Sequence, residues 1–342
     1  MSTYKEIADR SGVSIGTVYR VLHERGRYSR RTAERVRSVA EELGYTRNIY
    51  ASNLSRSRTY RIALVIPEPS HDNSYWAQPH EGVVAAIHAL RHYRIDHMDV
   101  FYDEHDPDSL LRRLSELADM EADAAIIAPT VAADRADLLA AAGISIPHVL
   151  IDTEVPSPAR LGFVGQDSYA SGRSAGHLLR LLAPGARRLL AIRSVPASQH
   201  IEQRIAGMRD YFAEHGSPVP DRIDVDFADP EAARARIGAA LVADGRPDAC
   251  FVSNSNASLC ADIFDEIGRE PIPPIVGYDL VPANVQALRS GRLSVLLSQR
   301  PTEQGRLAVD IVYRSVILGG PPVGDVRVPI DIVTPENLDG YL

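Results

Sequence analysis

The chain has 342 residues, of which 45% are hydrophobic and 24% are charged, and its formal net charge is −8. That length exceeds one ordinary domain, and the composition is typical of globular proteins. No run reaches the roughly 18 apolar residues of a membrane span, and the N-terminus lacks an apolar signal core. We therefore expect a cytoplasmic protein without membrane contact, in which Cys250 and Cys260 are buried thiols rather than a disulfide or metal pair.

Charge is distributed unevenly along the chain. Residues 1–60 hold 12 Lys and Arg against 6 Asp and Glu, whereas the remainder holds 25 against 39. A basic head on an acidic body is typical of a protein whose small domain contacts phosphate. On charge alone, a basic surface without a partner is an equal alternative.

Residues 1–46 read as three short helices. Thr3 begins a capping box, Ser14 caps a second helix after a turn at Gly12, and Ser29 caps a third. A turn of about three residues between the first two helices is the length found in helix-turn-helix domains. Any small helical bundle is the alternative, but the basic surplus favours DNA binding.

The second helix has two distinct faces. Val18, Val21 and Leu22 recur at helical spacing and predict an inward apolar stripe. The opposite face carries Ile15, Gly16, Thr17, Tyr19 and Arg20. A short helix with one apolar face and one such outer face fits the DNA major groove.

Residues 47–60 are polar and basic with one isolated leucine, Leu54. They are either a linker or a segment whose part 51–55 forms a helix on DNA. In the second case Leu54 would be a wedge between base pairs in the minor groove.

Residues 3–59 resemble the DNA-binding head of the lactose-repressor (LacI/GalR) family. The matching residues are Ile7-Ala8, Ser11-Gly12-Val13-Ser14, Thr17-Val18, Arg20-Val21-Leu22, Ser29, Glu42-Leu43-Gly44-Tyr45, Asn48, Ala51 and Leu54. Three positions depart from the family pattern. Tyr19 stands where the family usually has a small residue, Arg47 stands where it has Pro, and Ser52 stands where it has Arg.

The resemblance implies a set of DNA contacts, namely Thr3, Ser14, Ile15, Gly16, Thr17, Tyr19, Arg20, Ser29, Asn48, Ala51 and Leu54. Of the residues that would face base edges, Ile15 and Gly16 offer no side-chain hydrogen bond. Base readout then depends on Arg20 at a guanine and on Ile15 at a thymine methyl.

From residue 61 onward, short apolar runs alternate with amphipathic stretches. The expected strands are Ile62–Ile66, His97–Phe101, Ala124–Ala128, His148–Ile151, Leu161–Val164, Arg188–Ile192, Arg222–Val225, Ala249–Val252, Ile275–Gly277, Val295–Ser298 and Val326–Val328. Helices are expected at Glu81–Leu90, Asp108–Leu117, Tyr169–Leu182, Ile201–His215 and Gln304–Leu318. This alternation predicts an α/β fold of parallel sheets flanked by helices, and about 280 residues are enough for two lobes.

Motifs for catalysis are missing. The sequence contains no Walker loop, no G-x-G-x-x-G after the first strand, no G-x-S-x-G and no H-E-x-x-H, so we predict no enzyme and no cofactor. Histidines are dense between residues 71 and 105, and His88 and His92 share one helical face. A solvated helix end is favoured over a metal site there.

Polar and aromatic residues gather just past the ends of the predicted strands. They are Asn73, Tyr75, Trp76, Asp152, Arg204, Phe227, Asn254, Asp279 and Gln299. Carboxylates and amides satisfy sugar hydroxyls, and aromatic rings pack on the C–H faces of a sugar. Singly, each could be a helix cap or a loop residue, but jointly they predict an effector site for a small sugar or polyol.

Residues 61–342 also resemble the type I periplasmic sugar-binding fold, near its ribose-type members. The matching segments are Asn73-Ser74-Tyr75-Trp76, Ile151-Asp152, Gln203-Arg204 with Gly207, Asp226-Phe227, Ser253-Asn254, Gly277-Tyr278-Asp279 and Ser298-Gln299-Arg300-Pro301. Thr153 stands where ribose binders carry Arg, which removes a donor. Residues 164–167 resemble the link into the second lobe, where Asp167 is either a ligand contact or, as favoured here, a helix cap.

Together these features predict a helix-turn-helix head, a hinge and an effector domain of two lobes. The boundaries are 1–46 for the head, 47–60 for the hinge and 61–342 for the effector domain, with lobe 1 near 61–162 and 291–325 and lobe 2 near 163–290 and 326–342. We predict a repressor that binds operator DNA as a homodimer and responds to a sugar that closes the lobes. The alternatives are a sugar-binding protein of a transport system and a sugar-modifying enzyme.

Overall fold

A computed structural model describes residues 4–22, 26–43, 58–71, 74–117, 119–243, 245–267 and 271–342. The chain divides into two compact units, Met1–Arg58 and Thr59–Leu342. Within the described residues, no helix combines the length and the apolar character that crossing a membrane requires.

The first unit is a bundle of α1 (Tyr4–Ser11), α2 (Ile15–Leu22) and α3 (Arg30–Glu42). Gly12 turns the chain between α1 and α2 with φ +62°, a conformation that glycine adopts at little cost. Of the predicted apolar stripe, Val18 and Val21 are fully buried at 0% exposure, and Leu22 is half-buried against the same core.

Helix caps in the head agree with the sequence. The hydroxyl of Ser14 accepts from the Thr17 amide at 3.2 Å, and that of Ser29 accepts from the Thr32 amide at 3.1 Å. The predicted cap at Thr3 lies outside the described residues.

The second unit is an α/β domain with two sheets. Its strands in chain order are β1 (Tyr60–Pro67), β2 (Ile95–Tyr102), β3 (Ala124–Ile127), β4 (His148–Ile151), β5 (Arg160–Gly165), β6 (Leu189–Ser194), β7 (Asp221–Val225), β8 (Ala249–Val252), β9 (Ile275–Tyr278), β10 (Val295–Ser298), β11 (Val326–Arg327) and β12 (Asp331–Val333). The first sheet has the order β11-β5-β4-β3-β1-β2 and is parallel throughout. The second has the order β12-β10-β9-β8-β6-β7 and is parallel except for β12, an antiparallel edge that the sequence did not predict.

Helices cover both faces of each sheet, which confirms the predicted fold class. They are α4 (Ala77–Ala89), α5 (Ser109–Glu116), α6 (Leu138–Ala141), α7 (Ser168–Leu182), α8 (Gln199–Glu214), α9 (Pro230–Ala243), α10 (Ala257–Glu266), α11 (Pro282–Arg289) and α12 (Pro301–Val312), with a π-helical turn at Tyr313–Ile317. Helices α4 and α12 pack on one face of the first sheet and α5 and α6 on the other. In the second lobe α7 and α8 face α9, α10 and α11 across the sheet, where Cys250 and Cys260 are buried and unpaired.

Two strands lie in the opposite lobe from the one predicted. Residues 295–298 were placed in lobe 1, but Val295–Ser298 pairs with β9 in the second sheet. Residues 326–327 were placed in lobe 2, but Val326–Arg327 pairs with β5 in the first sheet. The chain therefore crosses between the lobes after β5, after β10 and after β11, and strands of two to four residues carry too little pattern to reveal which sheet they join.

One glutamine connects the three crossings. The Nε2 of Gln166, in the first crossing, donates to the carbonyl of Ser298 at 3.1 Å and to that of Pro329 at 3.3 Å. Beside it, the guanidinium of Arg300 forms a two-pronged ion pair with Asp331 at 2.6 and 2.7 Å. The crossings are thus one hydrogen-bonded unit.

Each lobe contains two helices whose backbones touch at glycines. In the first lobe, a Cβ added at Gly82 of α4 would lie 2.0 Å from the Thr302 carbonyl oxygen. In the second, a Cβ at Gly172 of α7 would lie 2.0 Å from the Arg204 oxygen, and one at Gly207 of α8 would lie 2.1 Å from the Tyr169 oxygen. Only glycine permits this approach, so these positions set the helix spacing.

We predict that Gly172→Ala lowers stability by about 1–3 kcal/mol, because the added methyl group forces α7 and α8 apart. The measurement is thermal or urea unfolding. Gly238→Ala on α9 is the matched control, since its Cβ would meet nothing closer than 4.0 Å. Alanine at position 238 should raise the free energy of unfolding by roughly 0.5–1 kcal/mol, because its helix propensity is higher than that of glycine. Equal unfolding midpoints for the two variants would contradict the prediction.

Candidate functional site

A cavity of about 380 Å³ opens where the carboxyl ends of the strands of both sheets meet. Ligand pockets in proteins begin at about 300 Å³, so its size suits a small molecule. The predicted effector residues that line it are Tyr75, Trp76, Asp152, Arg204, Phe227, Asn254, Asp279 and Gln299. The remaining one, Asn73, lies outside the described residues. We call this cavity the cleft.

Asp152 is the central acceptor on the first-lobe side of the cleft. It follows β4 with φ +63°, which turns its side chain out of the strand direction. The Tyr75 hydroxyl donates to its Oδ1 at 3.0 Å, and the Thr153 hydroxyl donates to its Oδ2 at 3.0 Å. Burial, with the nearby Asp152 carboxylate, raises the pKa of Tyr75 well above its usual value, so this phenol stays a donor.

Arg204 is the central cation on the second-lobe side. It projects from α8 and is 1% exposed. Its guanidinium donates to the Ser253 carbonyl at 2.9 Å and to Gln299 Oε1 at 3.0 Å, and it lies 3.8 Å from the centre of the Tyr278 ring. These contacts compensate the desolvation of the charge.

Asp279 is connected to Arg204 through the side-chain amide of Gln299. Its backbone has φ +69°, and Gln299 Nε2 donates to its Oδ1 at 3.2 Å. Asn284, which the sequence did not single out, fixes this loop by donating to the carbonyls of Tyr278 at 2.8 Å and Asp279 at 3.1 Å. Gln299 therefore contacts both Arg204 and Asp279.

Two donor groups of cleft-lining residues have no hydrogen-bond partner among the described residues. They are the indole Nε1 of Trp76 and the Nε of Arg204, and both atoms are buried. Because both atoms are inaccessible to solvent, a ligand oxygen would reach them only if neighbouring side chains moved.

Sequence reasoning missed His200 and misjudged Thr153. The Nδ1 of His200 lies 2.6 Å from Thr153 Oγ1, 3.0 Å from Ser198 Oγ and 3.5 Å from Asp152 Oδ2. Since the Thr153 hydroxyl donates to Asp152, it accepts from Nδ1–H of His200, which leaves Nε2 as an acceptor. Thr153 thus orients two cleft residues rather than merely lacking a donor.

Gln304 is a second missed residue. Its Oε1 accepts from the Asp152 amide at 2.9 Å, and its Nε2 donates to the Gln299 carbonyl at 2.8 Å. It joins the two sides of the cleft through α12. Asp167, by contrast, is the favoured helix cap, because its carboxylate accepts from the Ala170 amide at 2.9 Å.

The predicted recognition helix presents its outer face to solvent. Ile15 is 51% exposed and Tyr19 is 39% exposed. Arg20 folds along the helix, with Nε donating to the Gly16 carbonyl at 3.2 Å and NH2 donating to Thr17 Oγ1 at 3.1 Å. The predicted contacts Thr3, Asn48, Ala51 and Leu54 lie outside the described residues.

A basic helix-turn-helix head and a two-sheet domain with a polar cleft define a class of protein, the DNA-binding regulators that carry a ligand-binding domain. The chain belongs to the family of the periplasmic binding protein domain, whose model matches residues 62–320, and its head carries the domain of the lacI family of bacterial regulatory proteins, whose model matches residues 3–48. It is a DNA-binding transcriptional regulator and not a transport protein, because the head accompanies the binding domain.

Proteins of similar sequence and structure include transcriptional regulators and sugar-binding proteins. The transcriptional regulator DegA of Bacillus subtilis is 26% identical over 285 residues, 81% of each chain. A crystal structure described as a LacI transcriptional regulator from Bacteroides fragilis has a TM-score of 0.74 and 25% identity, covering 83% of this chain and all of that one. A solute-binding protein from Burkholderia graminis in complex with D-arabinose has the same fold, with a TM-score of 0.74, 16% identity, and coverage of 83% and 98%.

We predict that His200 makes the domain less stable in acid. Burial, supported by the charge of Arg204 and opposed by Asp152, lowers the pKa of His200 from 6.5 to about 4. Between these values the unfolded chain binds a proton that the folded chain does not, so stability falls as the pH falls through this range. The loss from pH 7.5 to pH 5 is about 2 kcal/mol.

Urea unfolding of the wild type and of His200→Asn at both pH values measures this loss. Asn keeps a polar group near the Nδ1 position and does not titrate, so the stability difference between the two proteins should change by that amount. A difference that is the same at both pH values would count against a buried neutral imidazole.

Proposed function

We propose that this chain is a transcriptional repressor that binds a pseudo-palindromic operator as a homodimer and that releases or strengthens this binding when a neutral sugar or polyol occupies the cleft. The observation that carries the proposal is the convergence of Asp152, Asp279 and Arg204 with the aromatic rings of Tyr75, Trp76 and Phe227 in one cavity. Such groups bind ring hydroxyls through several directed hydrogen bonds.

The charge of the cleft favours an uncharged effector. Its described lining includes the carboxylates of Glu104, Asp152, Asp226, Asp262 and Asp279. Against these, Arg204 is the one guanidinium or ammonium among the described lining residues. A phosphorylated sugar or a uronic acid would meet net negative charge, and like-charge contacts are a common means of rejecting a ligand.

The carboxylates of Asp152 and Asp279 serve as hydrogen-bond acceptors rather than as catalytic groups in this proposal. Asp152 is engaged by Tyr75 and Thr153, and Asp279 is engaged by Gln299. We therefore propose binding without turnover.

The proposed coupling runs from the cleft to the lobe crossings. Gln299 contacts Arg204 and Asp279 and is itself part of the second crossing. A ligand that draws these groups together changes the hydrogen bonds of the crossing, and lobe closure then acts on the predicted hinge at 47–60. This is allostery through a two-state element.

The homodimer follows from DNA geometry, because one head reads too few base pairs for specificity and two-fold proteins read paired half-sites. Since its partner is DNA, we propose that the protein acts in the cytoplasm. In the head, Arg20 is the proposed base reader.

The test combines a ligand screen with DNA binding. Thermal shift identifies sugars and polyols that raise the unfolding midpoint, and fluorescence anisotropy measures their effect on an operator selected from a random DNA pool. We expect a neutral sugar or polyol to change operator affinity at least about tenfold, a coupling typical of allosteric proteins. If none of the neutral compounds changes either quantity, the effector proposal fails.

We predict that Asp279→Asn lowers the affinity for the effector by about tenfold to a hundredfold, because a hydrogen bond to a charged group is worth roughly 1.5–3 kcal/mol. Asn is the appropriate replacement because it tolerates the positive φ of this position, unlike Ala. Calorimetry with the effector from the screen measures the change. Operator affinity without effector is the internal control and should be unchanged.

We predict that Arg20→Ala loses about 1–3 kcal/mol of discrimination between operator and random DNA. On binding, the guanidinium must exchange its contacts with Gly16 and Thr17 for a base edge. The ratio of the two dissociation constants, measured at one salt concentration, reports the loss. An equal loss on both DNAs would show that Arg20 contacts only phosphate.

A further inference from the structure

Two histidines and a carboxylate meet where α4 packs against the edge strand β2, and none of them lines the cleft. His80 lies in the first turn of α4, and His97 and Asp99 lie two residues apart on β2. Residues two apart on a strand point to the same face, so both side chains of β2 are directed toward α4. We call these three residues the His-His-Asp cluster.

The three side chains present their ligand atoms to one point. His80 Nε2 lies 3.1 Å from Asp99 Oδ1, and His97 Nε2 lies 3.7 Å from the same oxygen. All three ligand atoms lie within 4.8 Å of one another. Ligands at about 2.0–2.1 Å from a tetrahedral zinc ion are separated by roughly 3.3 Å, close to the first two distances.

The cluster interrupts an otherwise apolar seam. On the same face of β2, Ile95 and Phe101 belong to the hydrophobic core beneath α4, and the Phe101 ring lies 5.7 Å from that of His80. The side chains of His80 and His97 are only 27% and 23% exposed. The side chain of Asp99 is 35% exposed, so the cluster lies at the solvent edge of this seam and is open to an ion from solution.

We propose that the His-His-Asp cluster is a binding site for one divalent transition-metal ion, with zinc as the first choice. Two imidazoles and one carboxylate form a set of nitrogen and oxygen donors that suits zinc, copper or nickel, whereas magnesium and calcium prefer oxygen donors alone. A fourth position remains for water. The ion would tie the first turn of α4 to β2, just after the cleft residues Tyr75 and Trp76.

The helix and strand make this cluster better preorganised than a second one nearby. The potential ligand atoms of His71, Asp103 and His105 also lie within 4.8 Å of one another, but all three residues are in loops, and His71 Nδ1 lies 4.0 Å from Asp103 Oδ1. That loop cluster is the direct competitor in the experiment.

The experiment is a zinc titration of the full-length protein after removal of metal, in competition with a chromophoric chelator. We expect one high-affinity zinc ion per chain. His97→Gln and Asp99→Asn should each weaken it at least about tenfold, as loss of a ligand does. His88→Gln with His92→Gln, which removes two exposed histidines of the same region, should leave the affinity unchanged.

The loop variant His71→Gln distinguishes the two clusters, because loss of zinc in this variant with retention in His97→Gln would overturn the proposal. Wild-type protein that binds no tighter than Asp99→Asn would also overturn it. X-ray absorption of the zinc-loaded wild type should show two imidazole ligands. A spectrum without imidazole ligands would also overturn the proposal. Bound zinc should raise the unfolding midpoint of the wild type but not of Asp99→Asn, whose midpoint without metal shows that it folds.

Discussion

The buried charge of Arg204 is the constraint on which the effector domain depends. A guanidinium with 1% exposure needs hydrogen-bond acceptors or an aromatic face close by to offset the loss of its hydration. The Ser253 carbonyl, the Gln299 amide and the Tyr278 ring supply these contacts from three different strand ends. The second-lobe side of the cleft is therefore organised around one cation before any ligand arrives.

From this cation a continuous set of hydrogen bonds leads to the other lobe. Arg204 contacts Gln299, the Gln299 carbonyl contacts Gln304, and Gln304 contacts the Asp152 amide, which belongs to the first lobe. Three residues of this path, Asp152, Arg204 and Gln299, also line the cleft. Binding and lobe geometry share hydrogen bonds, so a change in one must alter the other.

The sequence predicted the cleft because parallel strands end at one edge, so polar residues past those ends must meet. Asp152, Arg204 and Asp279 could be found in this way without any knowledge of their contacts. Gln304 and His200 could not, because their roles come from partners far away in the chain, as in the bond between Asp152 and Gln304. The lobe assignment of β10 and β11 was wrong for a related reason, since sheet membership of very short strands is decided by long-range pairing rather than by local pattern.

The glycine contacts have a mechanical consequence. At Gly82 in one lobe and at Gly172 and Gly207 in the other, the paired helices touch backbone against backbone, so no side chain separates them at these points. Contacts of this kind leave little room for the paired helices to slide, so we expect each lobe to move as one body about the three crossings when a ligand binds. A larger residue at Gly82, which contacts Thr302 rather than a cleft residue, would then change the response without altering a ligand contact.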